Sequence, residues 1–542
     1  MAHFNRLIAL FFVCWGSSNS FAYESCKGFY KTLSCGNLVC EPRKKETAEN
    51  CPIDCETFEL RSYNSQAYCS QNAEFRSPKN LEEAVDDILM AQSLGRSIRV
   101  VGAMHSQTDV FCGNEVMLST AKLNAILGLR EFAGDQVVDV QPGVKLGDLQ
   151  DWLHEKNLTL GLAVPNYPHI TMAGGLATGS HGTSRLHPAT LASAVREIEW
   201  VTADGRVFRV NHQTPNTTLW NAARVSLGSL GFITKLSLKV EPQFHLNITT
   251  TAIKDDVLLR RYPHDWPQPC DSETYFWFPS QGKALRFCGT RTSAPVDPNG
   301  MNTILLQRGP ESKVQEALRK VMHFSRCSPE VACSAEWMVF RELSKSPPFK
   351  KENRKGKLVS SSSVTGHSHK MTTSHFPDPD QKFYSVIDWA LAIPAFNVGS
   401  ALNYVKTYSK KHKVCFPVGG ITLRFVHDDR ASLGFYNFAS GDAEDPAVVF
   451  EFVTYDPQGV SGADRTRMNQ PIYELVHNLM SRFGARPHWG KNENWVLKEA
   501  VRLGNYEYKL DDFLETKTML DPSDQFGNEL TRSLFGNEGI TQ

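Results

Sequence analysis

The sequence predicts an α+β fold divided into more than one domain. Three observations carry this. The chain has 542 residues, more than one ordinary hydrophobic core accommodates. From about residue 59, β-branched runs and helically spaced apolar residues follow one another. Among them lies a hairpin signal, Ala203-Asp204-Gly205 between Val195–Val201 and Val207–Val210, so short strands and helices are mixed.

Residues 1–22 read as a secretory signal peptide. Arg6 supplies the positive end, Leu7–Trp15 is an apolar core too short to span a bilayer, and Ser20-Phe21-Ala22 gives a small-x-small cleavage pattern. No later stretch is apolar enough for a transmembrane helix, so no membrane span is expected. A lumenal or extracellular place in the secretory pathway is the expectation. Residues 23–58 form a cysteine-dense segment, with CGNLVCEPRKKETAENCPIDC spanning Cys35 to Cys55. It has too little apolar content for a core, so disulfides are expected to hold it. Of thirteen cysteines Cys14 lies in the signal; the other twelve can all pair in an oxidising compartment, although spacing does not give the partners. Asn157, Asn216 and Asn247 head Asn-x-Thr glycosylation acceptors.

Residues 59–243 hold the regular part. Asn80 caps a helix with Glu83 three residues on; Leu81, Ala84, Val85, Ile88 and Leu89 recur at helical spacing, and Gly95 ends it. Ile98–Val101 reads as a strand, Val137–Val144 as another, and Leu146, Leu149, Trp152 and Leu153 as a second amphipathic helix. Residues 244–542 are less regular. Residues 343–380, rich in Ser, Lys, Pro and His, read as a long mobile loop. His367, His369 and His375 cluster there; imidazoles bind zinc or copper, but with no acidic or thiolate neighbour the expectation is a solvated loop and no metal.

Lysine plus arginine equals aspartate plus glutamate at 58 each, so no nucleic-acid or anionic-membrane partner is expected. Two stretches stand out. RVVGAMHSQTD (Arg99–Asp109) ends a strand in a small-residue loop that carries His105. HITMAGGLATGSHGTS (His169–Ser184) places four glycines beside small residues and His181. Such a stretch can wrap a ligand with its own N–H groups. Neither a G-x-G-x-x-G after a strand nor a P-loop is present, so a nicotinamide or nucleotide-triphosphate site is not indicated.

The two stretches together resemble the FAD-linked oxidases of the vanillyl-alcohol oxidase type. VGAMHSQTD is similar to their pyrophosphate loop, AGGLATGSHGTS to their second flavin loop, and VSLGSLGFIT (Val225–Thr234) to the segment closing that domain. The resemblance implies a two-part FAD-binding domain of this type over 59–243 and an α+β substrate (cap) domain over 244–542. It implies FAD held by Val101, Gly102, Ala103, Met104, His105 and Ser106, by Ala173, Gly174, Gly175, Thr178, Gly179, His181 and Gly182, and by Ile233. His105 aligns with the histidine that carries the flavin covalently. ARPHWGKNENW (Ala485–Trp495), the ending FLETKTMLDPSDQFGNEL and GGITLRFVHDDRASLG (Gly419–Gly434) resemble the sugar-lactone oxidases of the plant L-gulonolactone type. The resemblance gives Lys491 the stabilisation of the reduced flavin, Arg424 the polarisation of substrate oxygen, and His488 either proton acceptance or packing beneath the ring. Two departures stand out. Many relatives carry Glu-x-Arg where this chain reads Thr422-Leu423-Arg424, so the carboxylate is lost, and Met104 stands where glycine is usual.

The expectation is FAD-dependent oxidation of a sugar-1,4-lactone at C2 with molecular oxygen as acceptor, giving an ascorbate-type product and H2O2. An alditol or carbohydrate oxidase, a lactone dehydrogenase with another acceptor, and a binding protein with an idle flavin fold stay open.

Overall fold

The computed structural model describes Ser62, Ala67 and Cys69 and residues 73–113, 115–303, 329–373, 386–438, 445–456 and 462–536. Residues 1–22, read as a signal peptide, the cysteine-dense segment 23–58 and His375 lie outside these residues.

A small parallel sheet comes first. Strands β1 (Glu74–Arg76), β2 (Ile98–Val101) and β3 (Val116–Ser119) pair in the order β1-β3-β2. Helix α1 (Leu81–Ser93) covers it, burying Ala84, Ile88 and Ala91. Asn80 caps α1 by accepting the Glu83 amide, and Gly95 leaves it at a φ of 62°. Leu81 and Leu89 stay largely exposed, unlike the sequence expectation. Leu89 lies over Gly205, where an added Cβ would stand 2.8 Å from its Cδ2, so the Asp-Gly hairpin turn sits under α1.

An antiparallel five-stranded sheet follows: β4 (Ile126–Phe132), β5 (Asp135–Val140), β6 (Val195–Val201), β7 (Val207–Asn211) and β8 (Phe232–Lys239), in the order β4-β5-β8-β6-β7. β5 stops at Val140 and not Val144, because Pro142 cannot donate to a ladder and Gly143 fits against Thr120 O, 2.1 Å from where a Cβ would stand. Helix α2 (Leu146–His154) starts at once and buries Leu146, Leu149 and Leu153.

The second half is built on an antiparallel eight-stranded sheet. Its strands are β9 (His245–Lys254), β10 (Ser272–Phe278), β11 (Lys283–Thr292), β12 (Ser363–His367), β13 (Val386–Ile393), β14 (Val418–Val426), β15 (Ala447–Tyr455) and β16 (Arg486–Pro487). They pair in the order β12-β9-β11-β10-β14-β15-β13-β16. Alternation along β13, β14 and β15 separates two faces. One buries Trp389, Leu391, Leu423, Phe425, Phe450 and Phe452 in the main core; burying each such side chain is worth about 1.5–3 kcal/mol. The other carries Asp388, Thr422, Arg424 and Glu451.

The 343–380 stretch is ordered as far as it is described. Phe349–Glu352 and Leu358–Ser360 pair in a small sheet with Met301–Asn302, and β12 joins the large one. β-branched Val364 and Thr365 override the loop-like composition because they pair with Ile248 and Asn247, remote in sequence, and Val359 pairs with Lys351 in a local hairpin. Among the described residues six cysteines form three bridges, Cys69–Cys112, Cys270–Cys288 and Cys333–Cys415.

Arg99, 3% exposed, ties the halves together. Its guanidinium donates to Val110 O at 2.6 Å, to Phe526 O at 2.9 Å and to Leu227 O. Arg99→Met takes a donor from three carbonyls, of which Val110 O keeps only the longer bond from Asn528 Nδ2 at 3.4 Å, and is expected to lower unfolding stability by about 3 kcal/mol or more. Urea unfolding curves of the two proteins check this.

Candidate active site

β2 delivers the first loop. At Gly102 a Cβ would stand 2.2 Å from Thr171 Oγ1, so only glycine fits. Met104 has a φ of 51°, a left-handed conformation that explains why glycine is usual there. The His105 ring meets Tyr167 edge-on at 4.6 Å. Burial, with His169 and Lys145 nearby, pulls its pKa down to about 3, so the imidazole is neutral at physiological pH.

The glycine-rich stretch is not one open loop. Met172–Ala177 forms a short helix, α3, holding Ala173, Gly174 and Gly175, and Thr178 closes it with a bond from Oγ1 to Gly174 O at 3.0 Å. The amides of Met172, Ala173, Gly175, Thr178, Gly179, Ser180 and Gly182 already donate to backbone carbonyls. They cannot wrap a ligand as the sequence suggested; the glycines instead permit close packing. A Cβ on Gly182 would stand 2.2 Å from Leu162 O. His181 is buried with Nδ1 2.8 Å from Gly182 O, so Nδ1 donates and Nε2 is left as acceptor. The Leu227 amide donates to Ala177 O at 3.0 Å, which brings the third motif onto α3. Ile233 stands opposite Trp200 on β8 and packs against the core.

The C-terminal motif is fastened onto the first loop. Gln107 N donates to Gly490 O at 2.8 Å, and Thr108 Oγ1 to Trp489 O at 2.8 Å. Gln107 Oε1 accepts the Asp388 amide at 2.9 Å. Ser106 Oγ lies 3.0 Å from where a Cβ on Gly490 would stand. Asn492, at a φ of 69°, clamps the turn to β13: it accepts from Ala390 N at 3.0 Å and donates to Ala390 O and His488 O at 3.1 Å each. Sequence reasoning missed Gln107 and Asn492. The available signal for Asn492 was an asparagine in a glycine-lysine turn, a residue that tolerates left-handed backbone.

The polar face of the large sheet presents four charged side chains. Arg424 on β14 and Lys491 in the turn both ion-pair with Glu451 on β15. Lys491 also meets Asp388 on β13 at 2.9 Å. Burial lowers the Arg424 pKa to about 10, with Asp388 opposing. Burial lowers Lys491 to about 8, Asp388 opposing and Arg424 adding to the fall. The loss of a carboxylate read at position 422 is thus corrected: Glu451 lies directly across the ladder from Thr422. Glu451 and Asp388 sit in ordinary strand sequence, where no motif marks them.

His488 is buried between the array and Phe435, whose ring centroid is 4.8 Å away. Burial, then Arg424, brings its pKa to about 3. Its Nδ1 accepts the Gly490 amide at 3.0 Å, so in the neutral ring Nε2 carries the hydrogen. The ring therefore offers a donor and not the proton acceptor.

His367 is half-buried and His369 buried, not free in solvent. Their rings lie 4.6 and 4.3 Å from that of His154, and His245 adds a contact of 5.1 Å to His367. Among the described residues no group of His, Cys, Asp or Glu is arranged to hold a metal ion.

The residues present fit a flavin. Thr171 Oγ1, between Gly102 and Gly174, and Arg424 Nε are buried without a partner among the described residues. One offers a hydroxyl beside the first loop and the other an N–H beside the second. Residues 73–211 match an FAD-binding domain, and residues 236–534, more than half the chain, match D-arabinono-1,4-lactone oxidase. The chain belongs to the D-arabinono-1,4-lactone oxidase family. It is 26% identical over 535 residues to the probable L-gulonolactone oxidase 1 of Arabidopsis thaliana, covering 92% of this chain and 85% of that one. It is 25% identical over 467 residues to the L-gulonolactone oxidase of Mus musculus, covering 85% and 94%. It is 26% identical over 478 residues to an L-gulono-1,4-lactone dehydrogenase of Mycobacterium tuberculosis, covering 88% and 98%. A cholesterol oxidase from B. sterolicum shares the fold, with a TM-score of 0.67 at 15% identity over 88% of this chain and 96% of that one. The protein is thus an FAD-dependent oxidoreductase acting on CH–OH groups, of the sugar-1,4-lactone oxidase and dehydrogenase class. No helix among the described residues is long and apolar enough to cross a membrane.

His105 and His488, held near 3 when folded, titrate near 6.5 when unfolded. Above 6.5 neither state binds these protons. Below it only the unfolded chain does, so stability of the flavin-free protein falls with acid by up to about 1.4 kcal/mol per pH unit for each histidine. Urea unfolding at about pH 7.5 and about pH 5 measures the fall. A His488→Asn variant, lacking one of the two protons, is expected to fall less steeply.

Proposed function

We propose that this protein oxidises L-gulono-1,4-lactone or a close sugar-1,4-lactone at C2, with O2 as acceptor. The C2 carbon loses a hydride equivalent and its hydroxyl a proton; the 2-keto lactone tautomerises to an ascorbate-type enediol, and O2 leaves as H2O2. The observation that carries this reading is the half-buried Arg424–Glu451–Lys491–Asp388 array, fastened to the first FAD loop in a chain of this family.

FAD supplies the hydride-accepting ring. The chain's own residues do the rest. The loop from Val101 to Ser106 and the α3 segment with His181 hold the cofactor, with the neutral His105 as the point of covalent attachment. Arg424, with Nε open, polarises a substrate oxygen. Lys491 and Arg424 stabilise negative charge at fixed, half-buried positions. His488 Nε2 and His181 Nε2 present a donor and an acceptor whose rings lie 6.1 Å apart.

A second reading, a dehydrogenase with another acceptor, is favoured by the likeness to the mycobacterial enzyme. Peroxide yield per lactone oxidised under air decides between them.

The signal-like pattern of residues 1–22 and the three bridges support passage through an oxidising secretory compartment. Asn157 and Asn216 are exposed and open to glycosylation, whereas the Asn247 side-chain amide is bonded to Thr365 Oγ1 at 2.8 Å.

Acid precipitation of protein from a secretory host is expected to retain yellow flavin, and His105→Ala to release it. Folded protein that never carries flavin would overturn the proposal. Lys491→Met is expected to keep flavin but lower kcat/KM for the lactone about 100- to 1,000-fold in a peroxide assay.

A further inference from the structure

Thr422 and Glu451 are opposite each other on β14 and β15. Directly opposed residues of an antiparallel pair hold their Cβ atoms about 4.5–5.5 Å apart. A glutamate at either position therefore reaches the same space above the sheet.

Glu451 is only 14% exposed and fills that space. One of its oxygens takes Arg424 Nη2 and the other Lys491 Nζ. Asp388 completes the set through Lys491, at 2.9 Å. Two cations face two carboxylates, so the array is neutral. It is not saturated. Asp388 Oδ1 and Arg424 Nε are buried without partners among the described residues, one open acceptor and one open donor. Each Glu451 oxygen also keeps a second lone pair after its ion pair is made.

A neutral polyhydroxy ligand satisfies those groups and leaves no charge uncompensated. An anionic sugar acid adds a buried negative charge with nothing to balance it. Without Glu451 the array carries a net positive charge, and that preference inverts.

We propose that Glu451 is the specificity-determining carboxylate of this site. It accepts a hydrogen from a substrate hydroxyl and cancels one of the two cations. The neutral lactone is thereby admitted and its ring-opened aldonate rejected. This rests on the lactone-oxidase reading above and names the group that enforces it.

The test uses the FAD-loaded protein as wild type, Glu451→Gln, Glu451→Thr and the transplant Thr422→Glu/Glu451→Thr. Dissociation constants for L-gulono-1,4-lactone and for L-gulonate are read from the flavin absorbance change, apart from turnover. Glu451→Gln is expected to weaken lactone binding about tenfold or more and to tighten L-gulonate by a similar factor. The transplant is expected to restore both constants lost in Glu451→Thr. An unchanged ratio of the two constants in Glu451→Gln overturns the proposal. So does a transplant that keeps the Glu451→Thr defect, and this arm decides if Glu451→Gln does not fold. If the wild type neither binds nor oxidises any lactone, the lactone-oxidase reading fails, but the gulonate arm still decides the role of Glu451. A gain in gulonate affinity on losing the carboxylate supports it, and no gain overturns it.

Discussion

Gln107 is the bond on which the site depends. Its amide binds Gly490 O and its side chain receives the Asp388 amide, 281 residues further along the chain. One residue thus joins the first flavin loop, the His-Trp-Gly-Lys turn and the strand bearing the array. Gln107 is 4% exposed, so these polar groups have left water and must find each other. The loop carrying His105 and the turn carrying Lys491 cannot shift independently. Asn492 adds the second constraint by fixing the turn to the edge of the large sheet.

That rigidity has an electrostatic purpose. Arg424 and Lys491 are taken into a site where burial is the main cause that lowers both pKa values. Asp388 opposes that fall for both cations, and Glu451, on the strand beside it, ion-pairs with each of them. The pleat makes this possible. Residues alternating along β13, β14 and β15 put Asp388, Arg424 and Glu451 on one side and Trp389, Leu423 and Phe450 on the other, and the turn brings Lys491 onto the charged side. The histidines follow the opposite rule. Burial first, and neighbouring cationic groups second, keep His105, His181 and His488 neutral.

The sequence made the local elements legible. The Asn80 cap, the Asp-Gly hairpin and the first two helices depend on contacts within a few residues, and these appear as read. Contiguous motifs such as the His105 loop were legible for the same reason. What depended on pairing across the chain was not. Residues 343–373 looked like loop because their strands are stabilised by β9 and by each other. His367 and His369 looked solvated because His154 and His245, which cover them, are far away in sequence. Glu451 was invisible for a related reason: a strand's partner across the sheet is set by register, which one strand's sequence does not contain.

The two departures from the family pattern differ in physical kind. At position 104 the backbone still demands a left-handed conformation, so methionine accepts a strain of about 1–2 kcal/mol. Side-chain packing against Val101, Phe111 and Cys112 offsets part of it, and the loop keeps its shape. At position 422 the demand is for charge at a place, not for a conformation at a residue. A sheet can meet such a demand from either member of a cross-strand pair, because both project to the same point. A backbone requirement is therefore tied to its position and endures as strain when the residue changes. A charge requirement is free to move one strand over, and a motif written along one strand then reports a loss that the folded site does not have.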